Sequence, residues 1–264
     1  MTTAREHFAA GNLAAAIAAQ VQQVKASPLD AGQRTFLFEL LAFDGQLDRA
    51  DAQLAVLGGQ SSESGWASSV YQNLLAAERM RRAVFAGQRQ PEVFLDAPDW
   101  LDLRWQAVGL LARSEHAAAT QLVEQSDQMA PNVCGQLNDR PVEGLRDADD
   151  LLAPILEVMV LRDYVWVPWC QVQELELAPP KTPRDLLWAP ARLVLSDGQQ
   201  RHVYLPALYP DTHAAGDDAV KLGRLTQWQV ASDEAPVRGI GQHLLVAGDW
   251  DIGLLEMRQF QAAG

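Results

Sequence analysis

The sequence predicts an α+β protein with helices first and a mixed, mostly antiparallel sheet second. Three observations predict it. Proline is sparse at the start: of fourteen, only Pro28, Pro91 and Pro98 precede residue 130. Proline removes a backbone donor and clashes inside helices, so the first half suits helix and the second does not. A segment also recurs. FAAGNLAAAI around Phe8 and FDGQLDRAD around Phe43 place Gly11 and Gly45, Leu13 and Leu47, and Ala16 and Ala50 each 34 residues apart. That is the period of tetratricopeptide repeats, in which antiparallel helix pairs stack to bury a shared apolar face. Third, short β-branched and aromatic runs separated by turn residues fill the later part. The reading is a TPR-like α-α superhelix over residues 1–133 and an α+β domain rich in Trp and Pro over 134–264.

Taken in order, Leu13, Ile17, Val21 and Val24 recur at helical spacing, and Pro28 ends that helix. Phe36, Leu37, Leu40 and Leu41 predict a second helix that turns at Asp44 and Gly45. Ala50, Leu54 and Leu57 face inward on a third, which Gly58 and Gly59 stop. Gln60 to Gly65 reads as a polar loop. The next helix runs from Val70 to Phe85; its basic cluster, Arg79, Arg81 and Arg82, reads as a solvated face. Trp100 to Leu111 and His116 to Met129 form a last pair. Stacked hairpins leave a concave groove, the usual seat for a guest peptide or helix.

In the second half, Ile155 to Leu161 and Tyr164 to Trp169 read as paired strands. Ala191 to Leu195 and Arg201 to Leu205 flank SDGQQ, where Asp197 and Gly198 supply a hairpin turn. Shorter strands are predicted at Gln227 to Val230, His243 to Ala247 and Leu254 to Phe260, together with a short helix.

With 21 basic and 34 acidic side chains the net charge is −13, which disfavours nucleic acid and anionic lipid as partners. No apolar run approaches a membrane span and the first residues lack a signal-peptide core, so a cytoplasmic location is expected. Cys134 and Cys170 match neither a disulfide framework nor a metal spacing. Phosphate loops, dinucleotide glycine fingerprints and G-x-S-x-G motifs are absent, so the sequence calls for no catalysis and no cofactor. Asp211, His213, Asp217 and Asp218 come nearest to a metal cluster, and a solvated loop is the expectation there. The acidic run Asp147, Asp149 and Asp150 has two readings, with Glu157 close behind in a strand. One is a cation site or an unrecognised enzyme; the other is turn and cap formation by aspartates that accept backbone amide bonds.

The chain resembles the ImpE family, also called SciE or TagJ, over nearly its whole length. SPLDAGQRTFLFELLAFDGQLDRADAQL and AERMRRAVFAGQRQP carry the likeness in the first half. DADDLLAPILEVMVLRDYVWVPW, PRDLLWAPARL, LPALYP and LGRLTQW carry it in the second, in that order. One departure is Arg162 and Asp163, where a glycine-containing turn is expected. The resemblance implies a non-enzymatic accessory protein of type VI secretion that binds the N-terminal helix of TssB, the small subunit of the contractile sheath, alongside the ClpV ATPase. Two surfaces are candidates for that helix: a groove near Arg34, Phe38, Glu78 and Arg82, or the aromatic second half around Tyr164, Trp166, Asp185, Trp188, Tyr209 and Trp228.

Overall fold

The computed structural model describes residues 2–59 and 62–263, with residues 62–64 by their backbone. Thr3 opens α1 (Ala4–Ala9) through a capping box with Glu6, and Asn12 caps α2 (Leu13–Ala26) by accepting the Ala15 amide. Gly11 joins them at φ 80°; Gly45 joins α3 (Ala31–Phe43) to α4 (Leu47–Gly58) at φ 71°. The 34-residue recurrence therefore marks one feature twice: a left-handed glycine that closes a helix and releases the next. α5 (Ser62–Phe85), α6 (Asp99–Ala112) and α7 (His116–Met129) complete the array.

Of the expected polar loop, residues 60 and 61 lie outside the described residues, and helix already runs from Ser62. Glycine is what admits it there. A Cβ on Gly65 would stand 3.3 Å from the Gly58 carbonyl, so α4 and α5 approach backbone to backbone.

The strands are β1 (Cys134–Leu137), β2 (Arg140–Glu143), β3 (Arg146–Asp147), β4 (Ile155–Val160), β5 (Asp163–Pro168), β6 (Val172–Leu177), β7 (Trp188–Leu195) and β8 (Gln200–Pro206). After the short helix α8 (Asp218–Lys221) come β9 (Gln227–Gln229), β10 (Arg238–Ile240), β11 (Leu244–Ala247), β12 (Trp250–Gly253) and β13 (Gln259–Ala262). One antiparallel sheet has the order β2-β1-β13-β6-β7-β8-β4-β5; β12-β11-β3 form a second, and β10-β9 a ribbon. The α+β class and the helices-then-sheet order match the sequence reading. Leu254 to Phe260 is not one strand: it divides into a 3-10 turn, Leu254–Glu256, and β13. At the β4–β5 turn, where glycine is missing, Leu161 takes φ 51° with its side chain largely in solvent.

Alternation along the strands gives the main sheet two apolar faces. Ile155, Met159, Tyr164, Trp166 and Trp188 pack with the helices, whereas Leu156, Val158, Val165, Val167, Leu193 and Leu195 pack with Trp169, Leu175 and Phe260. Eight consecutive residues of α3, Phe36 to Phe43, are buried. Phe38 stacks on Trp188 with ring centroids 6.3 Å apart and tilts onto Tyr71 at 5.6 Å. Each such large side chain contributes roughly 1.5–3 kcal/mol through burial. Much of the helical surface that a guest was expected to occupy is thus covered by the chain's own sheet.

Candidate functional site

Where α5 crosses β4, charged groups lie deep in the interior. Glu157 points to the helical face of β4, following the strand's alternation, and α5 places Arg81 opposite it. The guanidinium makes a two-point contact, Nε to Oε1 at 2.6 Å and Nη2 to Oε2 at 2.8 Å, and Nη2 also donates to the Leu208 carbonyl at 2.8 Å. Both side chains are 4% exposed or less. The solvated-face reading of the Arg79–Arg82 cluster fails at Arg81, because that side of α5 lies on the sheet. The signal was Glu157 itself: a carboxylate in an apolar strand requires a buried cation.

The network extends from Glu157 in both directions. Tyr164 Oη donates to Glu157 Oε1 at 2.5 Å and accepts from Trp166 Nε1 at 2.7 Å. His243 sits between two carboxylates: Nδ1 is hydrogen-bonded to Asp147 Oδ2 at 2.7 Å, and Nε2 lies 3.0 Å from Glu157 Oε2, an ion-pair distance without the alignment of a hydrogen bond. Tyr209 packs its ring on the imidazole at 4.0 Å and donates to Asp147 Oδ1 at 2.7 Å.

Burial alone would raise Glu157 and lower His243, but the neighbouring charges decide both. Arg81 and His243 hold the Glu157 carboxyl well below the usual carboxylate range, while Asp147 and Glu157 push His243 up to about 9. Burial raises Asp147 against the pull of His243. It also raises the phenols of Tyr164 and Tyr209, which stay neutral donors. We assign the shared proton to His243, which faces two carboxylates. Arg81 and His243 then balance Glu157 and Asp147.

The acidic run makes turns. Asp147 Oδ1 accepts the Asp149 amide at 2.8 Å, and Asp149 Oδ1 accepts the amides of Leu151 and Leu152 at 3.0 and 3.1 Å. Asp149 Oδ2 takes Gly239 N and Arg238 Nε, both at 2.8 Å, and Asp150 Oδ2 takes Val237 N at 2.6 Å. These carboxylates are occupied by backbone amides and by Arg238, which anchors β10. Among the described residues no group of three His, Cys, Asp or Glu side chains is placed to hold a metal ion. Around the loop singled out in the sequence, Asp217 caps α8, Asp218 accepts the Leu13 amide at 2.7 Å, and His213 lies against Gly45.

Other residues named from the sequence are divided between interior and surface. Phe38, Tyr164, Trp166, Trp188 and Tyr209 are buried and present no ring to a partner. They fill the seam between helices and sheet. Arg34 ties α3 to the Pro28 carbonyl at 2.6 Å and to Gln53 on α4 at 2.8 Å. Glu78 faces Arg82 across one helical turn at 3.6 Å, and Arg82 reaches the Gly45 carbonyl at 3.1 Å. Asp185 accepts the amides of Lys181 and Thr182 at 2.8 and 2.9 Å. Trp228 is 43% exposed, resting on Tyr209 with centroids 6.0 Å apart.

Sequence reasoning missed Arg104, a second buried guanidinium. It donates to Ser126 Oγ at 2.8 Å, to Asp127 and to the Asp150 carbonyl, binding α6 and α7 to the acidic turn. Beside it opens a cleft of about 600 Å³ at the junction of α6, α7 and the strands. Trp100, Ala130, Pro131, Val133, Leu145 and Pro154 form its apolar wall, and Asp127, Arg146 and Asp150 carry its charge. No helix among the described residues is long and apolar enough to cross a membrane.

Three likenesses to known proteins accompany this geometry. The model of the ImpE protein family matches residues 139–261. A Pseudomonas aeruginosa protein, the type VI secretion system accessory component TagJ, is 38% identical over 256 residues, covering 97% of this chain and 89% of that one. A crystal structure of a Vibrio parahaemolyticus protein superimposes with a TM-score of 0.92 over 99% of this chain and 97% of that one; at 23% identity this likeness speaks to the fold.

Proposed function

This chain belongs to the ImpE family, and from that premise we propose that it is an accessory component of type VI secretion that acts by binding rather than by catalysis. The observation that carries this reading is its 38% identity, along 97% of the chain, to a protein known as such a component. In our reading it is a cytoplasmic adaptor. Its TPR-like array, residues 1–133, is docked on the second domain, residues 134–264, and it receives the N-terminal helix of the sheath subunit TssB in functional partnership with ClpV.

The inner face of the helices is already occupied, so the guest needs an outer surface. We assign it the cleft beside Arg104. At about 600 Å³ the cleft suits a helix face that inserts one or two apolar side chains, with the half-exposed carboxylate of Asp127 at its rim to meet a basic residue.

Titration calorimetry with a synthetic peptide of the TssB N-terminal helix, and with a proline-broken version of it, tests the reading. Saturable heat from the native peptide alone is expected, and Ala130→Trp, which fills the cleft, should abolish it. Absence of binding at high micromolar peptide would overturn the helix-in-groove mechanism. Undiminished binding by Ala130→Trp would move the site elsewhere.

A further inference from the structure

Among the described residues no strand pairs with the outer edge of β9 in the β9–β10 ribbon. Its pairs are Gln229 with Arg238, Trp228 with Gly239, and Gln227 with Ile240. The Gly239 amide points away from β9, to Asp149 Oδ2 at 2.8 Å, so Trp228 and Gly239 form the pair that exchanges no backbone hydrogen bonds. Trp228 therefore turns its own N–H and C=O outward, and the alternation of a strand gives Thr226 and Val230 the same sense. All three residues of β9 are exposed. Leu225, Trp228 and Val230, three of the exposed large apolar side chains of the described residues, fall within this short stretch.

The ribbon is held in place before any partner arrives. Arg238 and Gly239 are bound by Asp149, Trp228 rests on Tyr209, and a Cβ on Gly241 would stand 2.1 Å from the Leu225 carbonyl. An unpaired, preordered, apolar edge is the element that natural proteins usually blunt with charge, proline or a bulge. None of these protects Leu225 to Ser232, which carries no ionisable side chain.

We propose that this edge is a self-association surface on which a second copy of the chain lays its own β9 antiparallel, giving a continuous β10-β9-β9-β10 sheet. Two features select a second copy. The outward-facing hydrogen-bonding position falls on the central residue, so a two-fold axis through Trp228 lets each Trp228 pair with its counterpart, as an isologous interface requires. On a chain of net charge −13 two copies repel over most of their surfaces, and this uncharged run is a place where they meet without like charges opposed. In that register Gln227 stands opposite Gln229 of the second copy, twice.

Sedimentation velocity over a concentration series, from low micromolar to sub-millimolar, tests this on the full chain. A reversible monomer–dimer equilibrium is expected. Gln227→Lys with Gln229→Lys should shift it to monomer, although the added positive charge lowers the overall repulsion. Gln227→Glu with Gln229→Lys, which opposes unlike charges in the proposed register, should retain or strengthen the dimer. These side chains are exposed, and circular dichroism of each variant serves as the folding control. A chain that stays monomeric throughout the series would overturn the proposal. So would a dimer indifferent to the paired lysines, or one weakened equally by both double variants.

Discussion

Arg81→Met is the perturbation that tests the interior most directly. It keeps the length and apolar stem of the side chain and removes the cation, leaving Glu157 buried between Tyr164 and His243. It also removes the donor to the Leu208 carbonyl. Taking one member from a buried ion pair costs about 3–5 kcal/mol, because the remaining charge stays desolvated without its partner. A domain of ordinary stability holds about 5–15 kcal/mol in all. For a protein of this size each kcal/mol lowers the melting temperature by roughly 2–4 °C, so a fall of roughly 6–20 °C is expected. Thermal unfolding measures that fall and urea unfolding the free energy behind it, each followed by circular dichroism for the helices and by tryptophan fluorescence, to which Trp166 and Trp188 in the seam contribute. The double variant Arg81→Met, Glu157→Leu removes both charges and should lose clearly less than the two single losses summed, with a coupling of about 1–3 kcal/mol. An Arg81→Met loss below about 1 kcal/mol would mean that solvent reaches the pair and that the network is not interior. Strict additivity in the double variant would mean that the two groups do not interact.

Three further perturbations follow from the same geometry. His243 is raised from 6.5 to about 9 on folding, so its contribution is fully present below pH 6.5 and is lost as pH rises through 9. At about 1.4 kcal/mol per pH unit that is at most roughly 3.5 kcal/mol, and unfolding curves at acid and alkaline pH should show the decline in the wild type and not in His243→Phe. Gly45→Ala combines a φ of 71° with a Cβ 2.3 Å from the His213 ring. The backbone alone costs roughly 1–2 kcal/mol, and calorimetric melting should show at least that. Residues 1–133 expressed alone should expose Phe38, which loses its stacking partner Trp188, and bind a hydrophobic dye, and a cooperatively melting fragment would refute the shared core.

Local features were legible in the sequence because local rules produce them. The glycines at 11 and 45, the stop after Gly58, and the helix pair from Trp100 to Met129 follow from turn chemistry and helical period. β4, β5, β7 and β8 were legible as β-branched and apolar runs beside turn residues, β7 only from Ala191 although it begins at Trp188. β6 was missed because Glu174 and Glu176 in VQELEL read as polar; in the sheet they face Arg192, at 2.9 Å and 2.5 Å. The buried network was illegible for a different reason. Arg81 and Glu157 are 76 residues apart and Asp147 and His243 are 96 apart, so no window of sequence holds both partners. Aspartates in DADD are as compatible with a cation as with backbone amides until Gly239, Val237 and Leu152 are seen to donate to them.

A buried ion pair is a poor source of net stability, since apolar residues of the same shape often serve as well. Its strength is discrimination. Stacked rings such as Phe38 and Trp188 tolerate small displacements, and apolar faces alone would let α5 settle on the sheet in more than one register. A shift of α5 by one turn would strand Arg81 and Glu157 in the interior unpaired, at a cost of several kcal/mol, so only one docking survives. The consequence reaches the surface. Glu157 fixes His243, His243 and Tyr209 hold Asp147, Asp147 orders the turn that aims Asp149, and Asp149 grips Arg238 and Gly239 on β10. Trp228 rests on the same Tyr209. The exposed ribbon is therefore set by a chain of contacts that begins at the helix–sheet seam, and a change at Arg81 should be felt at β9.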